Sequence, residues 1–215
     1  MPAATRILHQ VRTVALAKIA TLTTLATLAT LATLGTMAPA HAAEDPGTVV
    51  LVAKPGMRDP LYSATVLVAR PTGDGRYIGF ILNKRTNVSL ATAFPNHEPS
   101  KNVREPLYLG GPAGTNAVFA LVQSATSPGK DASQLAEDLF VATSRSTVDR
   151  IIETDAEHAR FFMGGVIWRP GELDNELKRG LWHVVIPSAE LIMPKTTEGM
   201  WEEMVRNAEI SAKAI

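Results

Sequence analysis

Eight residues in predicted loops and at predicted element ends offer groups that could bind a ligand. Polar groups at strand ends and N–H groups at helix N-termini commonly contact small molecules or anions. A cationic side chain adds affinity for an anion, and an indole ring can form a hydrophobic wall. The candidates are Asp59, Asn83, Lys84, Gly110, Gly111, Ser144, Arg145 and Trp168. These groups suit ligand binding, and they form no recognisable nucleophile–base pair.

Each candidate also has a structural explanation, which is the simpler of the two. Asp59 precedes a proline and is typical of a turn cap, and Asn83 suits a turn after a strand. Gly110 and Gly111 could present N–H groups to an anion, but they lack the length and the Lys-Ser/Thr pair of a phosphate loop. The Ser-Arg pair at a predicted helix N-terminus could bind an anion or cap the helix. Both interpretations stay open.

The sequence contains no motif for catalysis or metal binding. It has no cysteine, which excludes thiol catalysis, disulfides and zinc fingers. It also lacks the Gly-x-Ser-x-Gly turn of hydrolases and any His-x-x-His or Glu-x-x-His spacing. Beyond the N-terminal leader the histidines are His97, His158 and His183, which suit surface or satisfied core positions. We therefore predict no catalytic residue, no metal site and no cofactor.

The stretch from 164 to 182 predicts a strand, a tight turn, a short helix and a second strand. Pro170-Gly171 is a turn dipeptide, and Gly180 suits the left-handed residue after a helix. Acidic residues come early in the helix and basic residues late, as the helix dipole favours. They are Glu172, Asp174, Glu176, Lys178 and Arg179. The carboxylates are therefore predicted to be dipole partners, and the tryptophans that flank the helix are predicted to pack in a core.

Short β-branched and aromatic runs separated by turn residues predict seven or eight strands. They cover residues 48–53, 65–69, 77–82, 107–109, 117–122, 139–142, 161–168 and 182–186. Three or four helices are predicted, after residues 89, 146 and 171 and over 200–208, and segments 96–105 and 124–134 are predicted loops. Because strands with short turns come early and helices late, the pattern predicts one α+β domain and no doubly wound parallel sheet.

Residues 1–42 have the composition of a secretory signal peptide. Arg6, Arg12 and Lys18 precede Thr-Leu-Ala repeats, and Ala40-His41-Ala42 matches a small-residue cleavage site. We predict cleavage after Ala42, a mature domain of residues 43–215, a periplasmic or secreted location and no stable membrane span after cleavage. The alternatives are an uncleaved anchor, whose apolar run is short, and a mis-assigned start codon with a cytoplasmic product.

The charge balance argues against a nucleic-acid partner. The 215-residue chain has 21 basic and 21 acidic residues. Loss of the three basic residues in the leader would give the domain a net charge of about −3. A slightly acidic domain lacks the positive surface of a nucleic-acid-binding protein.

Four ordered segments carry a resemblance to a known family. They are residues 51–62, 79–84, 109–112 and 165–182, and in order and spacing the chain resembles the YqgE/AlgH family over residues 48–207. The resemblance implies one α+β domain with a strongly coiled, mixed, mainly antiparallel sheet and peripheral helices. It brings no established activity and no agreed catalytic residues, although one branch is named for a proposed regulatory role in alginate production.

The chain departs from the family pattern in two places. Residues 69–73 replace the Glu-His that relatives commonly carry, and relatives commonly lack a leader such as 1–42. We therefore expect a non-catalytic binding or regulatory domain in the cell envelope, with an unknown small ligand or envelope protein as partner. Two alternatives are a small enzyme with a site near Asp59, Asn83, Gly111, Arg145 and Trp168, and a cytoplasmic transcription-linked regulator. The oligomeric state is not predicted.

Overall fold

The computed structural model describes residues 47–194 and 196–213, so the predicted leader and cleavage site lie outside the described residues. This part of the chain contains ten strands and five α-helices. The strands are β1 (Val49–Ala53), β2 (Val66–Gly73), β3 (Arg76–Ile81), β4 (Arg85–Ser89), β5 (Pro106–Leu109), β6 (Ala113–Gln123), β7 (Ala132–Ala136), β8 (Leu139–Ala142), β9 (Ala159–Trp168) and β10 (Trp182–Val185). The helices are α1 (Leu90–Ala93), α2 (Arg145–Thr154), α3 (Glu172–Lys178), α4 (Ala189–Ile192) and α5 (Met200–Lys213).

The strands form one curled sheet in the order β10-β1-β2-β3-β9-β6-β8-β7, with β4 and β5 beside this path. All recorded strand pairs are antiparallel except β5 with β9, which is parallel. The sheet is therefore mixed and mainly antiparallel, which confirms the predicted α+β class. Strands β2 and β3 form a hairpin, with Val68 opposite Phe80.

The long strand β9 exchanges one neighbour for another at a pair of glycines. Its first half pairs with β5 up to Met163, and its second half pairs with β3 from Val166 onward. Between these positions lie Gly164, whose φ is +66°, and Gly165. Because neither has a side chain, the backbone at Gly110 and Gly111 packs directly against them. Close backbone contact here allows the sheet to curl without a gap.

The two faces of the sheet form separate core clusters because side chains alternate along each strand. On β1, Val50 and Val52 belong to the cluster that α5 covers. The intervening Leu51 and Ala53 belong to another cluster, with Leu173 of α3. A third cluster lies between β6, β8, β9 and α2. On α5, Met200 and Val205 belong to the first of these clusters and are 7% and 8% exposed.

The structure differs from the sequence expectations at several elements, and helix α4, for example, has no counterpart among the predicted helices. Strand β4 is not predicted, because its Arg-Thr-Asn-Val-Ser sequence has no apolar alternation. In the structure, pairing with β5 holds this strand in place, and the Thr86 hydroxyl donates a hydrogen bond to Leu107 O. Strand β7 begins inside the predicted loop 124–134, where pairing with β8 overrides a polar sequence. Helix α2 begins two residues earlier than predicted because Ser144, rather than Ser146, accepts the capping bond from Thr147 N–H.

Candidate functional site

Asp59 and Lys84 both contact the loop of residues 54–65. The Asp59 carboxylate accepts bonds from the N–H groups of Leu61 and Tyr62 at 2.8 and 3.0 Å, so it caps a turn. Lys84 Nζ donates to Pro60 O at 3.3 Å. The structure therefore brings these two predicted site residues to the same loop. The hydrogen bonds of their side chains are made to the loop backbone.

Asn83 ties the end of the same loop to the sheet. Its Oδ1 accepts from Val66 N–H at 3.0 Å, and its Nδ2 donates to Ala64 O at 2.9 Å. Ala64 has a φ of +55°, an unusual conformation for a residue with a side chain. The amide therefore holds a strained turn at the start of β2.

The glycine pair and the Ser-Arg pair lie elsewhere in the fold. Gly110 is buried, and its N–H donates to Met163 O at 2.9 Å. Ser144 caps α2, and Arg145 Nε lies 3.7 Å from Asp149 Oδ2 with 86% of the arginine side chain exposed. Helix α2 packs on the cluster beside β6 and β8. The glycines and this helix N-terminus are thus held by separate parts of the sheet.

Trp168 lies in the core together with Trp182, and one carboxylate joins them. The two residues are 3% and 5% exposed. Glu176 Oε2 accepts from both indole N–H groups, at 3.1 Å from Trp168 and 2.8 Å from Trp182. The prediction that Glu176 acts only as a dipole partner is therefore wrong. The available signal was chemical, because a buried indole N–H needs an acceptor and α3 lies between the two tryptophans.

Tyr62 places the loop against this tryptophan pair. Its ring meets Trp182 edge to face, with centroids 6.3 Å apart and an interplanar angle of 77°. Burial raises the pKa of the Tyr62 phenol above its ordinary 10.0, and the charges of Glu176 and Asp59 raise it further. The loop and α3 are thus coupled through one neutral phenol beside two carboxylates.

We expect the stability of the fold to fall with pH once the pH passes 10.0, the ordinary tyrosine pKa. A pKa that is higher in the folded state means that the folded chain retains the phenolic proton longer. The contribution is full below pH 10.0 and is lost as the pH rises through the folded pKa. Ultraviolet titration of tyrosinate, with Tyr62→Phe to assign the signal, measures this pKa. Glu176→Gln should lower it, and an unchanged value would contradict the coupling.

None of the eight predicted ligand residues lines any of the three clefts that are described in the following paragraphs. Their recorded contacts are those of turns, caps, close backbone packing and core. The loop group of Asp59, Asn83 and Lys84 and the buried Trp168 belong to one face, and the other candidates lie outside that group. Ligand binding by these eight residues stays a prediction.

A groove between β10 and α5, here called the edge groove, is an open cavity with a partly apolar lining. Its volume is about 920 Å³. One wall is a face of α5 with Met200 and Met204, and Leu191 of α4 adds apolar surface. Residues 183–186 form the other wall. Because successive strand residues point to opposite faces, contact with four in a row means that the groove meets the edge of the strand.

The backbone edge of β10 faces this groove. Among the described residues β10 pairs only with β1. Lys54 N–H donates to Leu181 O, so these two residues form a hydrogen-bonded pair between β1 and β10. Hydrogen-bonded and non-hydrogen-bonded pairs alternate along an antiparallel ladder, so the next hydrogen-bonded pair is Val52 with His183. The backbone of His183 therefore bonds to β1. The N–H and C=O of Val184 therefore point away from β1. The Val184 side chain is 54% exposed, and Ile186 is 87% exposed.

The edge groove has an acidic lining. Glu190, Glu198 and Glu203 line it, and no Lys or Arg among the described residues does. Burial lowers the pKa of His183 below 6.5, as does the charge of Lys54, while Glu209 acts in the opposite direction. The described residues of the lining therefore carry three carboxylates and one imidazole whose protonated form is disfavoured.

Two further clefts lie near Asn102 and His158, with volumes of about 770 and 320 Å³. The described residues contain no group of three or more His, Asp and Glu residues arranged to hold a metal ion. Within the same residues, no helix has the length and hydropathy needed to cross a membrane.

Fold and cavities together define a single-domain α+β protein with an open groove at a sheet edge. The AlgH-like family model matches residues 50–213, and the chain belongs to this family. A UPF0301 protein of Corynebacterium efficiens is 30% identical over 169 residues, covering 75% of this chain and 81% of the relative. A UPF0301 protein of Chlorobaculum tepidum is 29% identical over 161 residues, covering 74% and 84%.

Two solved structures have the same fold. The crystal structure of protein DIP2367 from Corynebacterium diphtheriae gives a TM-score of 0.63 at 22% identity, covering 75% of this chain and 86% of that one. The solution structure of the AlgH protein from Pseudomonas aeruginosa gives 0.60 at 22% identity, covering 78% and 86%. At this identity the likeness concerns the fold, and it confirms the architecture expected from the family resemblance.

Proposed function

We propose that this chain is an exported, non-catalytic binding protein of the cell envelope, and that the edge groove binds an extended segment of another protein. The observation that carries the proposal is the outward-facing backbone of Val184 beside an apolar groove. An added strand gains main-chain hydrogen bonds from such an edge, and pockets beside the edge select its side chains.

The side chains of the groove support binding without chemistry. His183 is its only imidazole among the described residues. Ser188 Oγ, a possible nucleophile in the lining, accepts the capping bond from Leu191 N–H at 3.3 Å. No recorded hydrogen bond joins His183 to a hydroxyl in the part of the chain that the structure describes. Without a base in contact with a hydroxyl, the lining has no activated nucleophile.

Export rests on the composition of residues 1–42. The expected result is a periplasmic or secreted product whose first residue is Ala43. Fractionation of cells that express the full chain, followed by N-terminal sequencing, measures both properties. An intact leader on a cytoplasmic product would contradict export and favour the cytoplasmic alternative.

Val184→Pro should weaken binding of an extended peptide about tenfold, because it removes one outward N–H group from the edge. Proline is tolerated on an edge strand where the N–H faces outward, so the fold should persist. The probe is a peptide of about ten residues in which Val and Thr alternate. Its affinity for the exported, purified chain is measured by fluorescence anisotropy.

Val184→Thr is the matched control because it keeps the N–H group and the β-branched shape. It should bind the peptide as the unsubstituted chain does. Circular dichroism checks that both variants are folded. Equal affinity in Val184→Pro and Val184→Thr would contradict the proposed function.

A further inference from the structure

We infer that the segment bound in the edge groove is basic, with Lys or Arg residues alternating with apolar ones. This inference rests on the proposed function of the groove as a site for an added strand. Export and strand binding do not specify the chemistry of the partner. The charges and apolar surfaces around the groove do specify it.

The acidic groups come from three separate elements. Glu190 lies on α4, Glu198 lies in the segment before α5, and Glu203 lies on α5. All three residues are exposed at the groove. Three carboxylates without a basic group in the described lining attract a cationic partner and disfavour an anionic one.

The face of α5 that lines the groove is defined by helical spacing. Met200, Glu203, Met204, Asn207, Ala208 and Ser211 line it, at intervals of three and four residues. The adjacent Glu202 and Arg206 are exposed and lie outside the lining. The groove therefore has apolar methionines beside one carboxylate on the same helix, and methionine adapts its shape to different side chains.

The alternation of an extended chain fits this arrangement. Residues 183–186 offer an edge of about 13 Å, which is the length of four strand residues. Side chains that point toward α5 meet Val185, Leu191 and Met204, which are apolar. Longer cationic side chains can lay their methylene stems on this surface and reach the carboxylates at the rim.

A second copy of this chain is a poorer occupant for the same reason. Antiparallel pairing of two β10 strands would bring two sets of three glutamates to one interface. The described lining supplies no Lys or Arg to balance them. Like charges across an interface disfavour association, so charge complementarity selects a basic partner over self-association.

The test compares three peptides of about ten residues on the exported, purified chain. They share alternate Val residues and differ at the intervening positions, which are Lys, Thr or Glu. We expect the Lys peptide to bind at least about tenfold more tightly than the Thr peptide at about 0.05 M salt, and the Glu peptide to bind most weakly. At about 0.5 M salt the advantage of the Lys peptide should shrink, because exposed charges are screened.

Glu203→Gln combined with Glu190→Gln and Glu198→Gln should reduce the preference for Lys over Thr by about tenfold. Glu202→Gln is the matched control, since it removes the same charge from the same helix outside the groove. These exposed substitutions leave the core unchanged, so folding is preserved. A Lys peptide methylated on alternate backbone nitrogens should lose binding, because methylation removes the donors of an added strand.

The outcomes separate the inference from the proposed function. Equal binding of all three peptides, with loss on backbone methylation, would overturn the basic partner and leave strand binding intact. Binding by none of the peptides would overturn both. A chain that is dimeric by light scattering and becomes monomeric on Val184→Pro would overturn the inference in favour of a second copy. Equal effects of Glu202→Gln and the triple substitution would overturn the role of the lining carboxylates.

Discussion

Gly111→Ala is expected to lower the free energy of unfolding by more than about 4 kcal/mol, a loss that leaves little of the stability of a typical domain. A Cβ at position 111 would overlap the carbonyl group of Gly165 and approach Val166 N to 2.6 Å. These are backbone atoms inside the sheet, so no side chain can rotate away. The strands would have to separate where β9 passes from β5 to β3.

The measurement is urea unfolding followed by tryptophan fluorescence, with soluble yield recorded for a variant that does not fold. Gly47→Ala is the matched control because an added Cβ there meets nothing within 4 Å. It should change stability by less than about 0.5 kcal/mol. A Gly111→Ala variant within about 1 kcal/mol of the unsubstituted chain would show that the glycine contact does not support the curl.

Glu176→Ala is expected to cost about 2–4 kcal/mol, because it leaves the indole N–H groups of Trp168 and Trp182 without their recorded acceptor. Glu176→Gln keeps one acceptor oxygen and should cost less, about 1 kcal/mol. Near-ultraviolet circular dichroism should report the loss through both tryptophans, and urea unfolding gives the free energy.

Asp174→Ala is the control for this prediction. It removes an acidic residue from the same helix, at an exposed position with no recorded side-chain bond among the described residues. Its effect should stay below about 1 kcal/mol, the contribution of a helix-dipole charge. If both alanine variants lost the same stability, the shared carboxylate would have no role beyond the dipole.

Local sequence chemistry was sufficient for much of the fold. Helix α3 begins after Gly171 and is followed by Gly180, which has a φ of +68° as predicted. These features were predictable because a turn or a cap depends on neighbouring residues. Strands β4 and β7 were not, because their own sequences lack the pattern of a strand and pairing with β5 and β8 holds them.

The candidate site was less accessible to sequence reasoning. Asp59 and Asn83 were chosen for groups able to bind a ligand, and the structure uses those groups to hold a loop and the start of β2. A polar side chain has the same chemistry in either role, so its partner decides between them. The edge groove was not predicted, because it depends on which strand lies at the end of the sheet.

The sequence by itself determined the fold class, the family, most strands and the lack of a recognisable catalytic motif, since these follow from periodicity, turn residues and ordered segments. Tertiary structure decided that Glu176 serves two tryptophans, that Gly111 lies against Gly165, and that the edge of β10 remains free among the described residues. The last two depend on residues far apart in the chain, and the same holds for the bond that Trp201 Nε1 on α5 donates to Ala53 O, at 2.7 Å across 148 positions. This last contact forms only when α5 returns to β1, and the returning helix provides one wall of the edge groove.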